Sequence, residues 1–260
     1  MAAVVADDPE AVAFGTVADV ARRAGASGAT VVRLCAKLGY EGFSDLQSAV
    51  REEFARRLRP AVERIREPLP DDALSRTLAT ELDNVAATLG GVDPTAFAQA
   101  VRLLSARRGR VLVLSGDASS GVAALLATEL SMLRPGVVRL DGSEVAVARS
   151  LADAGPPDTL VAIDLARYDR LVLTTVERAA GRGAGIVALT DSALSPLAAH
   201  ARVRLTVAAA GAGPFDSHVG VLALANALVT GVAGRLRRSA TERLDRVEAA
   251  WREARALVEG

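Results

Sequence analysis

Five short runs of β-branched residues and leucine, VLVLS at 111–115, VVRL at 137–140, LVAIDL at 160–165, IVALT at 186–190 and VRLTV at 203–207, constrain this chain most. Most lack the polar alternation of a strand with one wet face, so they fit strands buried on both faces of a parallel sheet. Parallel neighbours need long crossovers, and helical patterns stand between most of the runs, at 122–133, 145–152 and 171–181. The second part of the chain is therefore expected to be α/β, a doubly wound five-stranded parallel sheet with right-handed crossovers. In such a sheet the loops beyond the strand ends form the ligand crevice.

Upstream the pattern differs. Residues 73–104 read as two helical segments interrupted by Gly90, Gly91 and Pro94, and residues 67–72, EPLPDD, carry two prolines and no apolar periodicity. A linker there divides an all-helical domain, residues 1–68, from the α/β domain, residues 69–260. Within the first domain lies TVADVARRAGASGATVVRLCAKL, residues 16–38. Val17, Val20, Ala21 and Ala24 repeat at helical spacing, as do Val31, Leu34, Cys35 and Leu38. Gly25 stands where a helix ends in a left-handed turn, and Ser27 where the next helix needs an N-cap oxygen. Two amphipathic helices around a glycine occur in many helical domains. Charge favours the more specific reading, a helix-turn-helix DNA reader, because every charged residue from Arg22 to Lys37 is basic. The expected DNA-binding residues are Ser27, Ala29, Thr30, Arg33 and Lys37, small near the helix start and basic further on. Lys plus Arg equals Asp plus Glu over the whole chain, so DNA attraction must come from this local patch. The lone cysteine, Cys35, excludes an intrachain disulfide and is read as core. Residues 43–66 continue as helix, with Phe43, Leu46, Val50, Phe54 and Leu58 as an apolar seam.

This order of parts resembles the RpiR/MurR family of bacterial transcription regulators. SGATVVRLCAKLGYEGFSDLQ, residues 27–47, is similar to that family's recognition helix and the Gly-Phe turn after it. The rear domain resembles the sugar isomerase (SIS) domain, through GDASSG at 116–121 and LTDSALSPLA at 189–198. The resemblance implies a homodimer or homotetramer on double-stranded DNA, and a phosphosugar or other anionic effector in the rear domain. A two-fold protein reads an inverted-repeat operator, with recognition helices about 34 Å apart. Ser119, Ser120 and Gly121 are the expected phosphate cradle at a helix N-terminus, with Thr190 and Ser192 on a second matching loop. Such regulators usually carry a full helix before the helix pair. Here only Met1 to Ala6 precede Asp7, Asp8 and Pro9, so the expectation is either a truncated helix, with the head lacking one wall, or a true start further upstream.

Other residues depart from the pattern. Asp117 sets a negative charge beside the cradle, and where the family has serines and a threonine this chain reads DLARYD, residues 164–169. Arg167 or Arg170 either grips an anion by charge or pairs with Asp164 and Asp169. Three effector readings stay open: a phosphosugar held differently, another anionic metabolite, or a degenerate site. Repressor and activator are not distinguished.

A phosphosugar isomerase or etherase is the competing class. Proton transfer needs a positioned base, and the two histidines are His200, read as a solvated helix end, and His218, read as a pocket-wall residue opening a helix at 219–233 with Glu144 as companion. No acid–base pair stands at a recognisable spacing, so the expectation is a regulator without catalysis, cofactor or metal. Residues 239–258 read as a separate last helix capped by Ser239, with Leu244, Val247, Trp251, Ala254 and Val258 on one stripe. The apolar run 219–233 falls short of the roughly 20 residues a bilayer span needs, and no signal peptide is visible, so a cytoplasmic protein is expected.

Overall fold

The computed structural model describes residues 9–57, 59–66, 72–192 and 195–257. The chain forms two compact units, Met1–Leu69 and Pro70–Gly260.

The first unit is helical: α1 Pro9–Phe14, α2 Val17–Arg23, α3 Gly28–Lys37, α4 Phe43–Arg57 and α5 Ala61–Arg64. Val12, Val20, Val31, Cys35 and Leu46 are buried together at its centre. The missing wall is present after all. Six residues are too few for an independent helix, but α1 is held from α4. The Gln47 side chain donates to the Val12 and Gly15 carbonyls, 2.9 Å each, and Arg51 Nε donates to the Ala13 carbonyl at 2.6 Å. Those bonds satisfy the carbonyls that a short helix leaves open. Residues 43–66 are not one helix: α4 ends at Arg57, and Pro60, which has no N–H to donate, precedes α5. The Phe54 side chain, Leu58 and residues 67–71 lie outside the described residues.

The second unit opens with α6 Ala73–Gly91, capped by Asp72, and α7 Pro94–Leu104, capped by Asp93 with proline in its first turn. Gly90 and Gly91 end α6 and Pro94 begins α7, so the break falls where the sequence places it. Then follow β1 Val111–Ser115, α8 Ser120–Leu133, β2 Val137–Arg139, α9 Glu144–Ser150, β3 Thr159–Ile163, α10 Arg170–Gly181, β4 Gly185–Thr190, β5 Val203–Thr206 and α11 Val219–Ala254. The five strands are parallel in the order β2-β1-β3-β4-β5. Successive strand residues feed opposite layers. Val111, Val113, Val161, Ile163, Val187 and Leu189 pack with α7, α8 and α11, whereas Leu112, Leu114, Leu160, Ala162, Ile186 and Ala188 pack with α9 and α10. With each buried Leu, Ile or Val side chain contributing about 1.5–3 kcal/mol, this two-sided burial is what fixes the register.

The final helix differs from expectation. Residues 219–254 form one 36-residue helix, about 54 Å long. Ser239 does not cap a new helix; its hydroxyl donates back to the Leu236 carbonyl at 3.0 Å, inside α11. The first half, through Val221, Leu224, Leu228 and Val232, is buried in the sheet's core, and Leu236 and Leu244 continue that contact. Length and composition alone would let α11 cross a membrane; its apolar stripe is instead spent on the sheet. Val258 lies outside the described residues.

Candidate DNA interface and effector crevice

Local sequence sets the geometry of the head. Thr16 and Asp19 form a capping box at the start of α2, with Asp19 N donating to Thr16 Oγ1 at 3.2 Å and Thr16 N to Asp19 Oδ2 at 3.0 Å. Gly25 takes φ +59°, the left-handed conformation that favours glycine. Ser27 then caps α3, its Oγ accepting from Thr30 N at 3.3 Å. Gly28 lets α3 cross closely over α2, since a Cβ there would stand 3.3 Å from Val17 Cγ1. On the outer side, Ser27 Oγ lies 2.9 Å from Thr30 Oγ1, and Arg33 Nη2 donates to that same Thr30 oxygen at 3.2 Å. Ala29, Arg33 and Lys37 are exposed and Thr30 is half-buried. The five residues expected at DNA thus share the start and outer face of one helix, with Arg33 braced by its neighbours. Leu38 leaves the apolar stripe and is 48 % exposed, because α3 has ended and the chain turns at Gly39, φ +88°.

In the rear unit all five strands end at one edge. Gly116 N donates to the Ile163 carbonyl, Asp164 N to the Leu189 carbonyl and Val207 N to the Thr190 carbonyl, so the first residues beyond β1, β3 and β5 are each bonded to the end of the neighbouring strand. Ser119 is buried beside β1, Ser120 begins α8, and Gly121 is exposed on its first turn. His218, at the N-cap of α11, brings Nε2 to 3.1 Å from Ser119 Oγ. Ser119 and His218, 99 positions apart in the chain, therefore meet in one crevice. Glu144 is not part of it: it lies exposed, 3.9 Å from Arg178. His200 is exposed as expected, but at the end of a 3₁₀ turn, Pro196–His200.

The loop after β3 is built around a carboxylate. Asp164 is buried and accepts from Leu165 N at 3.1 Å and Asp169 N at 2.6 Å. The chain can wrap this closely because Arg167 adopts φ +71°, a conformation costing a non-glycine residue about 1–3 kcal/mol. Gly116 completes the fit, since any Cβ there would collide with Asp164 Oδ1. Neither arginine pairs with these acids: among the described residues Arg167 and Arg170 make no ion pair, and Asp169 instead caps α10 through Leu171 N at 2.7 Å. Arg167 is exposed at the loop's tip.

Beyond β4, Thr190 is fully buried with Oγ1 3.5 Å from Asp191 Oδ1, and the Tyr168 hydroxyl donates to that oxygen at 3.0 Å. Ser192 is half-buried on the same loop. Burial raises the carboxyls of Asp164, to about 6, and of Asp191; the charges of Asp169 and Asp191 add to the first, and that of Asp216 to the second. With exposed Asp117 at its mouth, the crevice is acidic.

The titration of Asp164 has a defined sign. Its carboxyl binds a proton more readily folded than unfolded, so stability is greatest below the ordinary value of 3.8 and falls as pH rises toward 6, then levels off. Urea denaturation of wild type and Asp164→Asn across this range is expected to show that wild type loses stability relative to the variant by at most about 1.4 kcal/mol per pH unit. A constant difference between the two curves would mean that folding does not shift the Asp164 carboxyl.

What sequence reading missed is how His218 is delivered. The loop before α11 is gripped by α6: Asn84 donates to the Ala210 carbonyl at 2.8 Å and accepts from Ala210 N at 3.0 Å, and Ala208 N donates to Thr88 Oγ1 at 2.9 Å. Ser217 Oγ donates to Glu81 Oε2 at 2.5 Å. A Cβ at Gly220 would lie 2.6 Å from Thr88 Oγ1, so the absence of a side chain there lets α11 start against α6. The available signal is Glu81, Asn84 and Thr88, a polar set at i, i+3 and i+7 along one face of the helical pattern.

The model for the helix-turn-helix domain of the rpiR family matches residues 1–57, and that for the SIS domain matches residues 103–231. An uncharacterized HTH-type transcriptional regulator of Haemophilus influenzae is 26% identical over 198 residues, covering 74% of this chain and 68% of that protein. The sugar isomerase domain of the RpiR transcription factor from Sphaerobacter thermophilus is 30% identical, with TM-score 0.62 over 67% of this chain and 97% of that one. The Vibrio vulnificus NanR protein, solved with ManNAc-6P, shares the fold at 23% identity and TM-score 0.60, over 96% of this chain and 90% of that one.

Proposed function

Since this chain belongs to the RpiR family of transcriptional regulators, with a helix-turn-helix head and a SIS domain, we propose that it is a cytoplasmic homodimer on an inverted-repeat operator, released or retained according to a sugar-type ligand in the rear crevice. The observation carrying the DNA half is the outer face of α3, where Ala29 leaves room for a base edge, Arg33 is braced by Thr30 and Ser27, and Lys37 is exposed. Arg33 suits guanine and Lys37 suits phosphate. The ligand half rests on Ser119 and His218 at the start of α8 and α11. Ser120 and Gly121 present backbone N–H groups of a helix N-terminus to an anionic group. Thr190 ends β4, Ser192 and Arg167 lie on neighbouring loops, and the carboxylates of buried Asp164 and half-buried Asp191 set the crevice against a second anionic group. A sugar monophosphate, whose hydroxyls can donate to those carboxylates, satisfies both conditions. A neighbour of the same fold is known with ManNAc-6P.

The reading is tested by fluorescence anisotropy on the DNA upstream of the chain's own gene, beside a scrambled duplex, with a phosphosugar panel titrated into the complex. Tight sequence-dependent binding that at least one phosphosugar shifts is expected. Equal weak binding to both duplexes would overturn the operator assignment, and unchanged affinity at millimolar sugar phosphate would overturn the ligand assignment.

A further inference from the structure

The opposite end of the rear unit carries the opposite charge. Near the amino ends of β1 and β2 a cleft of about 980 Å³ opens between the last turn of α7, the end of α8 and the middle of α11. Seven arginines line it against one carboxylate, Glu242. Three are committed within the fold. Arg134 is buried, donating to the carbonyls of Leu104, Gly109 and Pro135 at 2.7 to 3.1 Å. Arg243 Nε donates to the Ser131 carbonyl at 2.7 Å, and Arg238 lies 3.4 Å from Glu242. Arg102, Arg107, Arg235 and Arg246 remain, all exposed and without an ion pair or side-chain hydrogen bond among the described residues.

Unpaired like charges crowded into one concavity repel one another and are relieved by a ligand of opposite charge. Guanidinium forks match phosphate with paired hydrogen bonds. Arg235 and Arg246 are eleven residues apart on α11, three turns along one face and about 16 Å from each other. One phosphate cannot reach both, while an extended ligand with several can. The size falls within the roughly 300–1,000 Å³ of small-molecule sites, and a concavity suits such a ligand better than a duplex, which needs a ridge or a groove-sized insert. We infer that this cleft is a second ligand site, for a small anion carrying two or more phosphates, separate from the sugar crevice and independent of what that crevice binds.

The experiment is calorimetric titration of the full chain with sodium tripolyphosphate and, separately, orthophosphate, at low and at physiological salt. Tripolyphosphate is expected to bind at least about 10-fold more tightly than orthophosphate and to weaken by about 10-fold or more with added salt. R102E/R246E is expected to lose at least about 10-fold in tripolyphosphate affinity, since it removes two charges and reverses them. R107E/R235E reads the same loss should the first variant fail to melt cooperatively. Arg33→Ala/Lys37→Ala, in the head, leaves binding unchanged. No heat at millimolar tripolyphosphate, equal affinity in wild type and both cleft variants, or loss only in the head variant would overturn the site. A cleft variant that loses operator affinity while wild type ignores tripolyphosphate would overturn it in favour of DNA.

Discussion

Alanine at position 33 is expected to weaken operator binding by roughly 1–3 kcal/mol, about 5- to 150-fold, while leaving a scrambled duplex much less affected. Arg33 is the only basic side chain on the outer face of α3 that the fold orients in advance, through Thr30 Oγ1 and behind it Ser27 Oγ. A fork held before DNA arrives loses less freedom on binding than one that must be ordered. Lys37, a turn further on and at the end of α3, has no such bracing, and Lys37→Ala is expected to weaken all duplexes alike and to lower the salt dependence by about one phosphate contact. Both side chains are exposed, so neither variant should change the melting of the head. Anisotropy on operator and scrambled DNA across a salt series separates the two roles. Equal losses on both duplexes for Arg33→Ala would remove it as a base reader.

The second large effect is expected from α6. Leu74, Leu78 and Leu82 follow one another at i, i+4 and i+8 on one side of that helix and are 86 %, 62 % and 61 % exposed; Leu89 is also exposed. An exposed leucine row of this kind is a candidate contact surface, and a two-fold contact of α6 with its copy would cover it. Covering each leucine contributes up to about 1.5–3 kcal/mol. Leu78→Asp/Leu82→Asp is therefore expected to give a monomer by sedimentation and to reduce affinity for a two-half-site operator by about 10²- to 10⁴-fold, because the second head no longer binds at high effective concentration. Affinity for a single half-site should hardly change. A variant that still sediments as the wild-type oligomer would place the dimer contact elsewhere, with the half-buried Trp251 stripe of α11 as the next surface to alter.

The sequence-based fold and the structure agree where a pattern is local and repeated. β1 spans 111–115 as read, the other strands differ by one or two residues at their ends, and Gly25 and Ser27 take the turn and cap expected of them. Disagreement follows from physics that spacing does not carry. Ser239 looks like a cap because serine competes with the backbone for hydrogen bonds, yet the same chemistry lets it bond back one turn inside a helix. α1 looks too short because its stability comes from Gln47 and Arg51, more than thirty residues later. At the site, His218 and Ser119 stand out in the sequence as separate candidates, and that they lie side by side depends on the sheet order. In the sequence Asp164 stands only as a departure from the family's hydroxyls and as one of two possible partners for Arg167 or Arg170. Its burial and its two backbone donors exist only once β3 is central and Gly116 lies against it.

α6 also has a mechanical meaning. It is a rod of 19 residues, about 28 Å long. Along its buried side, Glu81, Asn84 and Thr88 clamp the loop that ends in His218. A helix so clamped cannot bend where it is held; it can only tilt or slide as one body. Any ligand that draws His218 toward Ser119 would therefore pull on the middle of that rod, and the pull would reach the exposed leucines on its other side.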